Sequence, residues 1–244
     1  MLMMCMGCCF AAEMDHWIAD QNGCKHFNYA PKPEESITWS GGCKNGYGDG
    51  LGELKWYKNG VVTQVIQAVL MEGKLNGKVK FAGVNGRSYE GDYLNGEMTG
   101  KGVMIWPNGN RYEGGFLRGE MSGKGVFVWA NGDRYEGDFL NGKRDGQGEG
   151  IDKNGNKYKG GFLSGKKDGY GVYYMSNTGN TYEGMFKEGK ANGKGLLTIG
   201  SKQDDAGYRY EGNFFDNELS GAGKIIYPNG HEVLCIFVHS ECRF

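Results

Sequence analysis

The sequence has little proline, no excess of charge and no long apolar segment. Only 4 of its 244 residues are proline against 46 glycines, which excludes a collagen-like chain or a proline-rich linker and leaves turns as the main use of glycine. Its 28 basic side chains are balanced by 29 acidic ones, so the positive excess of a nucleic-acid-binding protein is missing. No apolar run is long enough to cross a bilayer as a helix.

The usual signatures of catalysis are missing as well. The four histidines lie in the terminal regions, and neither a Gly-x-Ser-x-Gly nor a His-Glu-x-x-His pattern occurs. Asp152, Asn154 and Asn156 alternate like the start of a calcium loop but lack the distal glutamate, so we predict a polar turn there. We therefore expect a protein that is not an enzyme and that has no cofactor and no metal site.

Residues 1–12 form an uncharged apolar segment that ends in small residues. The hydrophobic part and cleavage site of a secretory signal have this composition, although the usual basic start is missing. We interpret the segment as the remnant of a signal peptide, which predicts an exported protein, periplasmic or secreted. A disordered or cloning-derived start would instead leave the protein in the cytoplasm. Residues 13–38 are expected to form an irregular N-terminal capping segment.

Removal of residues 1–12 would leave four cysteines, Cys24, Cys43, Cys235 and Cys242. An even number in an exported protein favours two disulfides, most simply Cys24–Cys43 and Cys235–Cys242, although three connectivities are possible. The zinc alternative would need paired ligands at short spacing, and the scattered histidines do not supply them.

Glycine and tyrosine recur at a fixed period in the rest of the chain. A triplet of tyrosine, a charged residue and glycine starts each unit, and the first four tyrosines are 23 residues apart. Each unit continues with a turn, a Gly-x-Gly element, an apolar run and a second turn, which is typical of two strands and two turns. The triplets start at Tyr89, Tyr112, Tyr135, Tyr158, Tyr182 and Tyr210.

These units resemble the MORN-repeat family, whose motif is Y-E-G-x-[FWY]-x-x-G-x-x-x-G-x-G. About eight copies, some of them degenerate, extend over residues 39–244 and are most regular at 89–232. The repeats predict an all-β fold, an elongated single-layer antiparallel meander of about eight β-hairpins. The segment from Cys24 to Cys43 further resembles exported bacterial members of the family, in which two cysteines bracket the first repeat.

Two-residue turns such as Asn141-Gly142 would fix the register of each hairpin. In that register Tyr112 faces Gly125, and Glu113 faces Lys124 across the strands. The same charge pairing is predicted for Glu90 with Lys101 and for Glu183 with Lys194.

Aromatic residues of neighbouring units are predicted to share one face of the sheet. Connections of odd length preserve the side to which each residue points, and they place Trp106 opposite Tyr112 and Trp129 beside Tyr135. A single-layer sheet has no second layer to cover these rings, so we expect a shallow aromatic groove along it. The residues predicted to line the groove are Trp106, Tyr112, Phe116, Trp129, Tyr135 and Phe139.

This pattern predicts a non-catalytic protein-interaction or scaffolding module that presents the aromatic groove to a protein partner. Self-association through the terminal hairpins is a further possibility. The alternative is a peripheral membrane or lipid-binding module, as the family name suggests. In the absence of a basic cluster such a module would have to rely on exposed rings. No nucleic-acid partner is expected.

Overall fold

The computed structural model of the protein describes residues 16–28, 31–203 and 205–243. Within these ranges the chain forms 21 β-strands and no helix, so none of the described segments is a helix able to cross a membrane. The predicted all-β fold is confirmed. The segment at residues 1–12, interpreted above as a signal remnant, lies outside the described residues.

The first strands along the chain are β1 (Trp17–Ala19), β2 (Lys25–Phe27), β3 (Glu35–Trp39), β4 (Gly42–Lys44), β5 (Tyr47–Lys58), β6 (Val61–Met71), β7 (Lys74–Gly83) and β8 (Ser88–Leu94). The later ones are β9 (Glu97–Ile105), β10 (Arg111–Leu117), β11 (Glu120–Val128), β12 (Arg134–Leu140), β13 (Lys143–Ile151), β14 (Lys157–Leu163) and β15 (Lys166–Tyr174). The last are β16 (Thr181–Lys187), β17 (Lys190–Thr198), β18 (Arg209–Phe215), β19 (Glu218–Ile226), β20 (Glu232–Val238) and β21 (Glu241–Arg243).

Contacts divide the chain into two compact units, and the first comprises the described residues up to Asn85 together with 93–96. Its longest strand, β5, pairs antiparallel with β3, β4 and β6, and by one residue pair in parallel with β2. The predicted Cys24–Cys43 disulfide is present and links the residue before β2 to β4, with a Cα–Cα distance of 5.9 Å. Strands β1 and β2 and most of β3 lie within residues 13–38.

The second unit comprises residues 86–92 and the described residues from 97 onward, and from β9 to β21 each strand pairs antiparallel with the next. This is the predicted meander. Asn141 and Gly142 have φ angles of 48° and 74°, as a two-residue hairpin turn with two left-handed positions requires. The predicted Cys235–Cys242 disulfide is also present, between β20 and β21, with a Cα–Cα distance of 5.2 Å.

The hairpins carry a β-bulge that the repeat pattern did not predict. In the pair β10–β11, Leu117 lies opposite Glu120, as a two-residue loop requires, but the register shifts between Gly114 and Phe116. Gly123 adopts a φ of 68° in the bulged stretch of β11, a conformation that favours glycine. Beyond the bulge, each partner on β11 lies two residues further along than an uninterrupted ladder would place it.

The bulge overturns the predicted cross-strand pairs. Tyr112 lies opposite Phe127 and not opposite Gly125, whose partner is Gly114. The ring of Tyr112 therefore lies beside Phe127, while it still covers the backbone of Gly114 and Gly125 as predicted.

The predicted pairing of Glu113 with Lys124 and of Glu183 with Lys194 is wrong for the same reason. Glu113 lies opposite Val126, and Lys124 forms its ion pair with Asp138 on β12, at 2.8 Å. Glu183 likewise lies opposite an apolar residue. The charged side chains still share one face; Lys124 pairs between repeats, whereas Lys224 pairs with Glu211 within the last regular repeat, at 3.2 Å.

Candidate functional site

Tyrosine and phenylalanine rings of the second unit form a ladder on one face of the meander, which we call the aromatic face. Tyr112 packs edge-to-face on Phe116 of its own repeat at 5.2 Å and on Phe139 of the next at 5.0 Å. Tyr135 does the same with Phe139 and Phe162, at 5.2 and 4.9 Å. Aromatic pairs prefer this geometry because the positive edge of one ring meets the negative face of the other. The ladder continues through Tyr158–Phe186, Tyr182–Phe186 and Tyr182–Phe214.

The ladder side chains are core residues. Tyr112 and Tyr135 are 0% exposed, and Phe116 and Phe139 are 5% exposed each. The Tyr112 hydroxyl donates a hydrogen bond to the carbonyl oxygen of Gly115 at 2.9 Å, and burial raises the pKa of Tyr112 and of Tyr135 to about 12. Four of the six residues predicted to line the groove therefore have almost no surface to offer a partner.

Trp106 and Trp129 remain half-buried at the margin of this ladder. Each opens the turn that leads to the next repeat, with its backbone N–H donating to the carbonyl oxygen of Asn110 or Asp133 at 2.9 Å. The Trp106 ring lies 5.4 Å from Phe127, which lies 4.5 Å from Trp129. We call these three rings, Trp106, Phe127 and Trp129, the tryptophan strip.

The predicted pairing of the tryptophans with tyrosines is wrong in register, although the shared face is correct. Met104 lies opposite Tyr112 on β9, and Trp106 follows it by two residues on the same side. One repeat later Phe127, and not the tryptophan, lies opposite Tyr135.

The row of large apolar side chains is interrupted in the third regular repeat. Gly150 lies opposite Tyr135, at the repeat position that Phe127 occupies one unit earlier. Asp152 stands at the repeat position of Trp129. A cleft of about 520 Å³ opens on the aromatic face at this interruption, and Trp129, Gly150 and Asp152 line it.

Two basic side chains, Arg144 and Lys167, enter this cleft from successive repeats. They occupy the repeat position at which the first two regular repeats have Met98 and Met121. The guanidinium carbon of Arg144 lies 5.6 Å from the centroid of the Trp129 ring. The sequence signal of this cleft is the change from methionine to a cation at one repeat position together with the change from phenylalanine to glycine at another.

The cleft places both cations against aromatic rings and partly out of water. The ammonium nitrogen of Lys167 lies 3.6 Å from the ring centroid of Tyr173 and 5.1 Å from that of Tyr158. Desolvation lowers the pKa of Lys167 to about 8 and also lowers the pKa of Arg144.

Among the described residues, neither cation has a carboxylate oxygen within 4.0 Å. Asp152 attracts Lys167 at longer range, but its Oδ1 already accepts the backbone N–H groups of Asn154 and Asn156, at 2.9 and 3.0 Å. These bonds form the polar turn predicted for residues 152–156. In the described part of the chain, no three His, Cys, Asp or Glu side chains come together as metal ligands.

Comparison with known proteins places these repeats in a family. The model of the MORN repeat matches residues 89–111, 112–134, 135–157, 158–179, 182–202 and 210–232, more than half of the chain. No curated protein matches the chain.

Two solved structures are similar at low identity. The TCP domain of Drosophila melanogaster SAS-4 (dCPAP), in complex with a proline-rich motif of Ana2 (dSTIL), is 15% identical with a TM-score of 0.40, over 65% of this chain and 83% of that one. The TCP10 domain of Danio rerio CPAP is 16% identical with a TM-score of 0.40, over 76% of this chain and 82% of that one. The repeat model matches six consecutive units, and these units form a meander of hairpins with the same period. The chain therefore belongs to the MORN-repeat family.

Proposed function

We propose that the protein is a non-catalytic protein-interaction or scaffolding module that binds its partner on the aromatic face. The observation that carries this proposal is the tryptophan strip, whose Trp106 and Trp129 stay half-buried beside ladder rings that are core. Partly exposed tryptophans contribute much of the binding energy in protein interfaces because they bury a large area at little cost in side-chain entropy.

The opposite face favours a protein over a lipid as the partner. Two of its lysines are paired with acids: Lys124 lies 2.8 Å from Asp138, and Lys224 lies 3.2 Å from Glu211. Anionic bilayers bind clusters of basic residues that are free to meet phosphate groups. Peripheral lipid binding therefore remains the alternative that the experiment has to exclude.

The terminal hairpin supports a further proposal, self-association. Leu234 and Ile236 on β20 are 80% and 60% exposed, beside the edge strand β21. Exposed apolar residues at a sheet edge favour contact with a second copy. Sedimentation equilibrium of a Leu234→Lys, Ile236→Lys variant tests this, and we expect a lower mass than that of the unchanged protein. Equal masses would leave the protein without a self-association site here.

The two disulfides support the proposed export of the protein, because such bonds persist mainly in oxidising compartments. Fractionation of the native host checks this, and recovery of the protein in the cytoplasm with reduced cysteines would refute it.

The binding proposal is tested with a partner captured from the native host and then purified. In a Trp106→Ala, Trp129→Ala variant we expect the affinity to fall at least about tenfold. The matched control removes two exposed leucines of the opposite face, Leu117 and Leu140, and we expect it to change the affinity less than about twofold. Circular dichroism verifies that both variants remain β-structured.

Two outcomes of this titration contradict the proposal. If the tryptophan variant binds the partner unchanged, the site lies elsewhere. If no protein is captured while phosphatidylserine vesicles bind in a tryptophan-dependent manner, the lipid alternative holds.

A further inference from the structure

The charges of Arg144 and Lys167 are compensated in part by the aromatic rings around them and not by a neighbouring carboxylate. Methionine stands at the same repeat position at Met98 and Met121, where an apolar side chain has no charge to desolvate. A half-buried cation without a carboxylate beside it is disfavoured unless some other group compensates its charge. The lowered pKa of Lys167 has the same physical cause.

Both cations retain hydrogen-bonding capacity. Arg144 donates one hydrogen bond, to the carbonyl oxygen of Gly165, and a guanidinium carries five N–H donors. Within residues 16–28, 31–203 and 205–243, the ammonium group of Lys167 donates none. The remaining donors of both side chains are available to a ligand.

The nearby acids are already engaged in turns. Asp152 accepts two backbone N–H groups of its own turn, as described above. Asp133 accepts the backbone N–H of Lys153 at 2.8 Å and the side-chain amide of Asn131 at 3.0 Å. Their carboxylates hold the links between repeats and do not neutralise the cations directly.

The cleft also has room for a ligand group. A Cβ atom added to Gly150 would contact only the carbonyl oxygen of Arg134, at 3.8 Å, and the φ of Gly150 is outside the left-handed region. The walls are the Trp129 and Tyr173 rings. The cleft therefore continues the tryptophan strip along the same face.

We propose that this cleft binds a carboxylate side chain of an extended protein segment, held between Arg144 and Lys167 while the rest of the segment lies on the tryptophan strip. This inference rests on the proposed protein-interaction function and names the chemistry of its partner, an acidic peptide. The planar guanidinium donates two parallel hydrogen bonds to a carboxylate, and the ammonium group adds a third donor.

A phosphate dianion or a bilayer fits the cleft less well. Asp133 and Asp152 flank the two cations and repel a second negative charge. The cations are recessed between rings, where a side chain of an extended chain reaches them and a flat bilayer surface does not.

The test uses the full chain and a fluorescein-labelled tetraglutamate peptide, measured by fluorescence anisotropy at low salt. We expect tetraglutamate to bind and labelled tetraglutamine to bind at least about tenfold more weakly. An Arg144→Met, Lys167→Met variant, which restores the residue type of the first repeats, should lose at least about tenfold in affinity for tetraglutamate. A Lys124→Met, Lys159→Met control makes the same change in net charge on the opposite face and should lose less than about twofold.

A second variant keeps the test decisive if the double methionine variant fails to fold. Gly150→Val fills the cleft while it leaves both cations in place, and we expect the same loss of tetraglutamate binding. Undetectable binding of tetraglutamate to the unchanged protein would overturn the proposal. Equal losses of tetraglutamate affinity in the cleft and control variants would also overturn the proposal, because they would show a general effect of charge. Cleft-dependent binding of inorganic phosphate or of phosphatidylserine vesicles, without tetraglutamate binding, would assign the site to another ligand.

Trp106→Ala separates this proposal from the proposed function, since Trp106 does not line the cleft. This variant should bind the native partner more weakly and bind tetraglutamate with unchanged affinity. If Trp106→Ala lowers the affinity for the native partner while the cleft variants leave the affinity for tetraglutamate unchanged, the interaction function stands and the carboxylate site is rejected. The reverse result would retain the carboxylate site and reject the tryptophan strip.

Discussion

At the scale of single residues, five of the six repeat tyrosines, all except Tyr210, pack against glycine backbone and leave no space for a side chain there. A Cβ at Gly148 would lie 2.5 Å from Cζ of Tyr135, far inside van der Waals contact. Two residues further along β13, Gly150 has open space above it. The two glycines therefore look alike in the sequence but have different structural requirements.

Gly148→Ala and Gly150→Ala form a matched pair that tests this difference. We expect Gly148→Ala to lower the free energy of unfolding by about 1–3 kcal/mol, because Tyr135 must move out of its packed position. Gly150→Ala should be neutral or stabilising by up to about 1 kcal/mol, because it restricts only the unfolded chain. Urea denaturation of both variants measures the difference, and equal losses would contradict the assigned packing.

The lowered pKa of Lys167 predicts that the stability of the protein depends on pH. Its pKa is about 8 in the folded state against 10.5 ordinarily, so above pH 8 the folded state loses the proton first and the unfolded state binds more protons. Stability then rises with pH between those values. Above about pH 10 the trend reverses, since Tyr112 and Tyr135 titrate near 12 when folded and earlier when unfolded.

The stabilities of the unchanged protein and of Lys167→Met are therefore compared at about pH 7.5 and about pH 9.5, below the pH at which the tyrosines titrate. The urea midpoint of the unchanged protein should rise relative to that of Lys167→Met between these two values. A parallel pH response of the two proteins would show that Lys167 is solvated like a surface lysine.

At the scale of elements, the hairpin turn was predictable and the bulge was not. Asn-Gly between alternating apolar residues indicates a two-residue turn, because both residues tolerate positive φ. Gly123 also has positive φ, but its position inside a Gly-x-Gly run gives no sign that the strand bulges there. The register error in the predicted Glu–Lys pairs follows from this ambiguity.

The turn itself gives a further prediction. Gly142 has a φ of 74° with no atom within 4 Å of an added Cβ. A substitution there is therefore destabilising only because the new residue must adopt the left-handed backbone conformation. We expect Gly142→Ala to destabilise the protein by about 1–2 kcal/mol and Gly142→Asn by less, because asparagine adopts the left-handed region more readily. Thermal unfolding ranks the two variants, and an alanine variant as stable as the asparagine one would contradict the assigned turn geometry.

At the scale of the whole molecule, the two disulfides lie in different compact units, so their removal should act locally. Cys24–Cys43 closes a longer loop than Cys235–Cys242, with sequence separations of 19 and 7. It fixes β2, which pairs with β1 and, at one position, with β5. Removal of the disulfide that closes the longer loop should lower the free energy of unfolding of its unit by on the order of 3 kcal/mol.

Hydrogen exchange with mass spectrometry measures this for a Cys24→Ser, Cys43→Ser variant. We expect faster exchange in β1 and β2 and unchanged exchange from β10 to β19. The Cys235→Ser, Cys242→Ser variant should instead affect only β20 and β21. Faster exchange along the entire chain in either variant would show that the two units unfold as one.

The sequence by itself determined the features that depend on local pattern. The period of 23 residues, the Asn-Gly turns and the alternation of aromatic and charged positions indicated hairpins, their shared face and the meander. The spacing of the four cysteines indicated both disulfides that the structure contains.

Only the tertiary structure decided which of these aromatic residues are accessible. Tyr112 is covered because Phe139 of the following repeat packs on it, and a contact between successive repeats depends on the bulged register and not on the residue type. The cleft at Gly150 likewise receives its two cations, Arg144 and Lys167, from two different repeats. Exposure and ligand binding depend on what packs from neighbouring units, whereas strands and turns follow from the residues of each unit alone.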